Sequence, residues 1–462
     1  MLPAGIAAGH PATAAAGLEI LAEGGSAADA AVAASLASCV AETVMTGLLG
    51  GGHALYWDAS SGRARNLDCF VAVPGLGAPA REPDLIRLAV PFGEELVHYA
   101  VGPASCGVPG LAAGLHALWS EYGRLPWRRL VEPALALARS GVELPPAHAA
   151  CLAMLEPVMT MNEGAAIYAP GGRLLGAGDR LDQPGLVGAL DLVAGEGALT
   201  VYTGTIGAAL LALSAERGGL LVQADLDAYE PRWSKPDEAG WQGFEIRTRA
   251  GLSGVPEALA RLPPLADLGP AERLVGFVDA LLDGVGPETH TTNLVTVDRD
   301  GSACVLTSSL GLGSGDFLPG LDLHLNSMLG EADLVRGALV PGERMQSMMA
   351  PTLALDRQGP ALAIGAAGGT RLRTALLGVA TAVLEEGAEP QAAVDRPRLH
   401  PAGAVVNAEP GVDEEGLEAL EKRGWTVRRW AAPHHYFGGV SLVARSGAAA
   451  DPRRSGAARV LP

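Results

Sequence analysis

Residues 291–310 read TTNLVTVDRDGSACVLTSSL: two runs rich in Thr and Val around Asp298-Arg299-Asp300-Gly301. β-branched residues suit a pleated surface, and an Asp-Gly corner between apolar runs marks a hairpin. With the turn centred near Asp300, Thr291 opens the first strand and lies opposite about residues 308 to 310, which places Ser309 to hydrogen-bond its hydroxyl. Threonine is a common strand residue and Ser309 could simply face solvent, so the hairpin alone assigns no chemistry. A cut ahead of Thr291 changes that. Amine and hydroxyl would then sit on one residue, and the amine could take the proton of the hydroxyl.

Downstream, a Gly-rich turn over 310–317 leads to the strand-like ALAIGAAGG and the helix-like TRLRTALLGVATAVLEEG. Gly368 and Gly369 sit at that strand–helix junction, where backbone N–H groups and a helix N-terminus can face a developing oxyanion. Upstream, 252–287 carries five prolines and reads as an exposed connection with one helix, Ala271 to Asp283. Nearer the start, Pro11 to Ala22 reads as a helix closed by Gly24-Gly25, and Ser26 can cap a second running to about Val40. A glycine turn at 47–52 and the strand HALYWD follow, and helices are expected over 110–122, 127–140, 186–216 and 220–230. Helices and strands in this order predict layered α+β packing.

The 51 acidic against 33 basic residues, a net charge of −18, argue against nucleic acid or an anionic membrane as partner. Five scattered cysteines form no CxxC or Cys/His cluster, so they read as small buried hydrophobes and no metal or other cofactor is expected. The apolar stretch 27–45 contains Asp29 and Glu42, which favours a packed helix over a membrane span. No basic-then-apolar leader opens the chain, so the expected location is cytoplasmic. GLGSG at 311–315 lacks a strand–GxGxxG–helix setting, and His434-His435 reads as an exposed loop pair.

Several motifs in one order resemble the gamma-glutamyltranspeptidase family of N-terminal nucleophile hydrolases. They are AGHPATAAAGLEILAEGGSAADAAVAASLA, SCGVPGLAAG with YGRLPW, TTNLVTVDRDG, APTLAL with GAAGGTR, and the closing SGAAADPRRSGAA. The resemblance implies a four-layered αββα sandwich of two antiparallel sheets. It also implies self-cleavage between His290 and Thr291 into a large segment, 1–290, and a small one, 291–462, intertwined in one globular domain, with further oligomerisation left open. Thr291 would be the nucleophile, Ser309 the supporting hydroxyl, Gly368 and Gly369 the oxyanion hole, and Ser347 the first of two serines on a glutamyl α-carboxylate.

Other positions depart from the family pattern. Met348 replaces the second serine, Asn293 a histidine, and Gly311 an asparagine. Gly330 stands where an acid binds the α-amino group, with Glu331 beside it as a possible substitute, and Phe70 occupies the position of an arginine. The expectation is a self-processing hydrolase or acyltransferase acting on a small-molecule gamma-glutamyl or related substrate, with glutathione-like amides poor donors. Alternatives are a member acting on a non-glutamyl amide or a carbon–carbon bond, as in antibiotic biosynthesis, and a normal glutathione-cleaving enzyme with a rebuilt pocket. A catalytically inactive homologue serving as a binding or assembly protein is the reading from another class.

Overall fold

A computed structural model describes residues 1–92, 95–282, 291–332, 334–335 and 337–462. Two antiparallel sheets lie face to face. The first runs, in spatial order, Ala457–Val460, Gly5–Ala8, Thr292–Val297, Ala303–Ser309, Gly51–Asp58, Arg63–Cys69 and Arg232–Ser234. The second runs Gly447–Ala450, Gly439–Ala444, Gly359–Ala367, Thr352–Asp356, Phe244–Thr248 and Asp237–Trp241. Strands from before and after position 290 are neighbours in both.

Alternation along each strand builds the layers. Val295, Val297, Val305 and Leu55 face the other sheet and meet Leu353, Leu355, Ala363 and Val443. Leu294, Cys304 and Leu306 face the opposite way, into the core under helices Pro11–Ala22 and Ala27–Ala41. Helix Arg371–Leu384 covers the outer face of the second sheet through Leu372, Ala375, Leu376 and Val379. The architecture is the four-layered αββα sandwich.

Small residues let these layers approach closely. All 15 residues of Ala27–Ala41 are buried. A Cβ added at Gly17 would stand 2.3 Å from Ile6 Cδ1, so an alanine there would displace the isoleucine side chain from its present packing. Ser26 and Asp29 cap the helix reciprocally, at 3.0 and 2.9 Å. Asp298, at the hairpin corner, accepts the Ala27 N–H at 3.1 Å and those of Asp300 and Ser302 at 3.0 Å each. One carboxylate thus holds both the turn and the helix start.

The predicted helices at 11–22, 27–40, 110–122 and 127–140 are present within a residue. Three expectations need correction. The 252–287 stretch is more than an exposed connection with one helix, because Pro256 begins a second, Val255–Arg261, that buries Val255, Ala258 and Leu259. The 271–283 helix is Pro270–Leu281, with Asp283 outside the described residues. His435 is not an exposed loop residue: it is buried edge-on to Phe92 at 5.2 Å, and His434 is only partly exposed. Sparse aromatics make that cluster hard to foresee, since its members come from distant stretches.

Candidate active site

The hairpin register pairs Thr292 with Ser308, which sets Thr291, one residue ahead of the strand, across from Ser309. Both are buried, so Ser309 does not face solvent. The Ser309 hydroxyl oxygen accepts the Gly311 N–H at 2.8 Å, a bond that orients its lone pairs. His290 lies outside the described residues.

Thr291 and Ser309 open on a pocket also lined by Gly369, Ser347, Phe70 and Met348. Five of the seven positions singled out in the sequence therefore meet at one place. Its remaining walls are Met328, Leu334, Met349 and Leu372. Asn293 faces between the sheets instead, bonded to Thr307 at 2.7 Å.

Gly368 adjoins this pocket as the partner of Gly369. Their φ values, +126° and +58°, lie where a side chain is strained, and a Cβ on Gly368 would stand 2.9 Å from Gly438 Cα. The turn behind them, His435 to Gly438, is held by three buried arginines. Arg454 Nη2 donates to His435 O at 3.3 Å, Arg371 Nε to Tyr436 O at 2.9 Å, and Arg398 Nη1 to Phe437 O and Gly438 O at 3.3 and 3.1 Å. Nothing in the sequence alone links these arginines to the glycine pair. The signal is only that several arginines occur in stretches otherwise apolar.

Glu331 does not line the pocket, although Leu334, whose N–H it accepts through its backbone at 2.9 Å, does. It is buried rather than solvated. A Cβ on Gly311 would lie 2.6 Å from Glu331 Oε1, so the loss of a side chain at 311 makes room for this carboxylate. Gly330 can carry no acid, because a Cβ there would be 1.7 Å from Ala100 O.

The apolar wall is pinned from behind. Arg344 Nη1 donates to Phe70 O at 3.0 Å, and the Tyr229 hydroxyl does so at 2.7 Å. Arg249 Nη1 donates to Ser347 O at 2.9 Å. The Phe70 ring stacks on His53 at 5.6 Å. Burial, with Arg249 and Arg344 nearby, holds His53 well below its ordinary pKa, so it contacts Phe70 as a neutral ring. Hydroxyl, glycine amides and apolar wall together form an arrangement suited to acyl transfer. Among the described residues no His/Cys/Asp/Glu group could hold a metal, and no helix is long and apolar enough to cross a membrane.

The sequence profile described as Gamma-glutamyltranspeptidase matches residues 13–262 and 279–461. Acylase ACY 1 proenzyme of Pseudomonas sp. (strain V22) is 27% identical, the match covering 94% of this chain and 88% of the relative. Glutathione hydrolase 5 proenzyme of Rattus norvegicus is 28% identical over 96% of this chain and 90% of its own. A crystal structure of cephalosporin acylase from Bacillus halodurans superposes with TM-score 0.83 at 23% identity, covering 100% of this chain and 96% of that one.

Proposed function

Since the chain belongs to the gamma-glutamyltranspeptidase family and is an enzyme of the N-terminal nucleophile type, we propose that it cleaves itself ahead of Thr291. The small segment, 291–462, then begins with the nucleophile, and the large segment is 1–290. The Thr291 amine takes the hydroxyl proton, the oxygen attacks a substrate carbonyl, and the Gly368 and Gly369 amides face the charge that develops. Ser309 orients the hydroxyl. The leaving amine takes the proton away, and water or an acceptor amine then resolves the ester on Thr291.

The acyl donor is one whose head group is less charged or bulkier than glutamyl. The observation carrying this reading is the lining of the pocket around Thr291: six apolar side chains, Phe70, Met328, Leu334, Met348, Met349 and Leu372, against two hydroxyls besides Thr291, Ser309 and Ser347. A glutamyl head brings an ammonium and a carboxylate, and a desolvated charge left without a partner costs several kcal/mol. Such a wall favours an uncharged acyl group. Two kinds of name among the relatives, acylase and glutathione hydrolase, fit a family that varies this wall around constant chemistry.

The test compares kcat/KM of the processed protein on gamma-glutamyl-4-nitroanilide and on phenylacetyl-4-nitroanilide. The apolar donor should be preferred. A glutamyl preference would overturn the specificity reading and leave the nucleophile assignment standing. A second reading, a glutamyl enzyme with a rebuilt pocket, takes Glu331, a buried carboxylate beside Gly330, as the partner of the α-ammonium. Under that reading Glu331→Ala abolishes glutamyl turnover and leaves self-cleavage intact.

A further inference from the structure

Thr291 also borders a second cavity, distinct from the acyl pocket. Its walls include Glu42, Thr292, His148, Ser441, Asp451 and Arg454. Strand alternation sends the Thr292 side chain this way, where its hydroxyl donates to Glu42 Oε2. Continued one residue back, the same alternation turns the Thr291 side chain to the face shared with Ser309, while Thr291 itself lines the rear cavity as well as the acyl pocket.

Two unmatched charges face each other there. Glu42 is buried, its other oxygen taking the Thr13 hydroxyl at 2.6 Å. Arg454 is buried opposite. Its Nη1 reaches Met45 Sδ at 3.5 Å, its Nη2 reaches His435 O, and its Nε has no hydrogen-bond partner among the described residues. A Cβ on Gly368 would lie 3.4 Å from that same Nη2, so the guanidinium sits directly behind the glycine pair.

The other groups facing this space are already matched or neutral. Asp451 is paired with Arg398 at 2.5 Å and Arg453 at 3.3 Å. Burial lowers His148 to about 3 and His10, whose ring lies tilted against it at 5.3 Å, to about 4, so both stay uncharged near neutrality. Burial likewise keeps the Cys39 and Cys151 thiols protonated. Arg371, further back, adds to the positive side. Burial pushes Glu42 up to about 6, which leaves it mostly ionised at pH 7.

We propose that Glu42 and Arg454 are an opposed pair of positioning charges that set the proton affinity of the Thr291 α-amine, Arg454 lowering it and Glu42 raising it. This rests on the reading that Thr291 becomes the N-terminus. An α-amine ordinarily titrates near 7.7–8.0 and is then mostly protonated at neutral pH, where it cannot act as a base. A buried cation nearby disfavours the ammonium, and a carboxylate favours it. The balance of the two decides how much free amine is present.

The experiment is the acid limb of kcat/KM against pH for processed enzyme, measured with both anilides, because that limb reports the free enzyme. Arg454→Met should move the limb up by about one pH unit, and Glu42→Gln should move it down by a similar amount, the scale of one nearby charge. Arg454→Lys should keep it near the parent position. Damage to packing lowers the plateau without moving the limb, and cannot move it in opposite directions for the two variants. Limbs that stay in place in protein whose N-terminus is sequenced as Thr291 overturn the charge pair. A different new N-terminus overturns the underlying assignment instead. Should Arg454→Met not process, Glu42→Gln decides alone: an unmoved limb ends the proposal.

Discussion

Thr291 stands between two walls of opposite character. In front, Phe70 and the methionines make a surface that offers almost no charge. Behind, Glu42, Asp451 and Arg454 crowd into a space with room for little more than water. Under the proposed function the first would meet the arriving acyl group, and the second is lined by the protein's own polar and charged groups. Substitution in front should therefore change which donor is used, while substitution behind should change how the reacting residue is protonated. Under that proposal reactivity and selectivity fall to different residues around Thr291.

The largest expected effect breaks both walls at once. Thr291→Ala should remain a single 47.0 kDa chain on a denaturing gel. The parent should give fragments of about 29 and 18 kDa, the mass divided as 290 to 172 residues. Turnover should fall by about a million-fold, the scale of losing a nucleophile. Fragments of the same size from Thr291→Ala would remove this residue from the centre of the comparison.

Gly368→Ala strains the backbone at a positive φ and pushes on Gly438. Turnover by purified protein should drop about 100–1000-fold through lost oxyanion contacts. Ser309→Ala should slow both self-cleavage and turnover by about 10–1000-fold, read by gel densitometry and anilide release. Equal rates in parent and variant would reduce Ser309 to a strand residue.

Met348→Ser sharpens the front wall alone. It should raise kcat/KM for gamma-glutamyl-4-nitroanilide about tenfold, equivalent to about 1.4 kcal/mol, with little change in the rate of self-cleavage. The smallest effect concerns stability at the rear wall. Burial raises Glu42 from 4.5 to about 6, so the folded protein holds a proton there that the unfolded chain releases. Its contribution to stability is complete below pH 4.5 and falls as pH rises through 6. The loss approaches about 2 kcal/mol, from 1.5 units at 1.36 kcal/mol each. Glu42→Gln lacks this titration, so the Tm difference between variant and parent should shift in the variant's favour from pH 4.5 to 7. A constant difference across that range would contradict the burial argument.

Local signals carried much of this from the residues alone. Ser26 with Asp29 announced a helix start, the Asp-Gly corner set the register of the hairpin, and that register put Ser309 across from Thr291. Phe70, Ser347 and Met348, distant in sequence, were placed by likeness to a family and do meet at the pocket. What stayed hidden depends on separations no local pattern encodes. Glu42 looked like a charge interrupting an apolar helix. Its partners Thr13 and Thr292 lie 29 and 250 residues away. The arginines behind Gly368 act through backbone carbonyls, and any residue supplies those. Helix Val255–Arg261 was masked by its prolines, which read as breakers until one is seen to sit at the helix start.

The interleaving of strands has a consequence for the life history of the molecule. Gly5–Ala8 is bonded on one side to Thr292–Val297 and on the other to Ala457–Val460. A precursor assembles this arrangement as one chain, where every contact is intramolecular. After a cut ahead of Thr291 the same contacts hold two polypeptides together, and lost structure can be regained only by a bimolecular encounter. The effective concentration supplied by the continuous chain is gone. Unfolding of the cut form therefore depends on protein concentration and shows hysteresis, and the uncut chain refolds freely. For a chain cut ahead of Thr291, folding would have to precede cutting, and slow separation would keep the two pieces together.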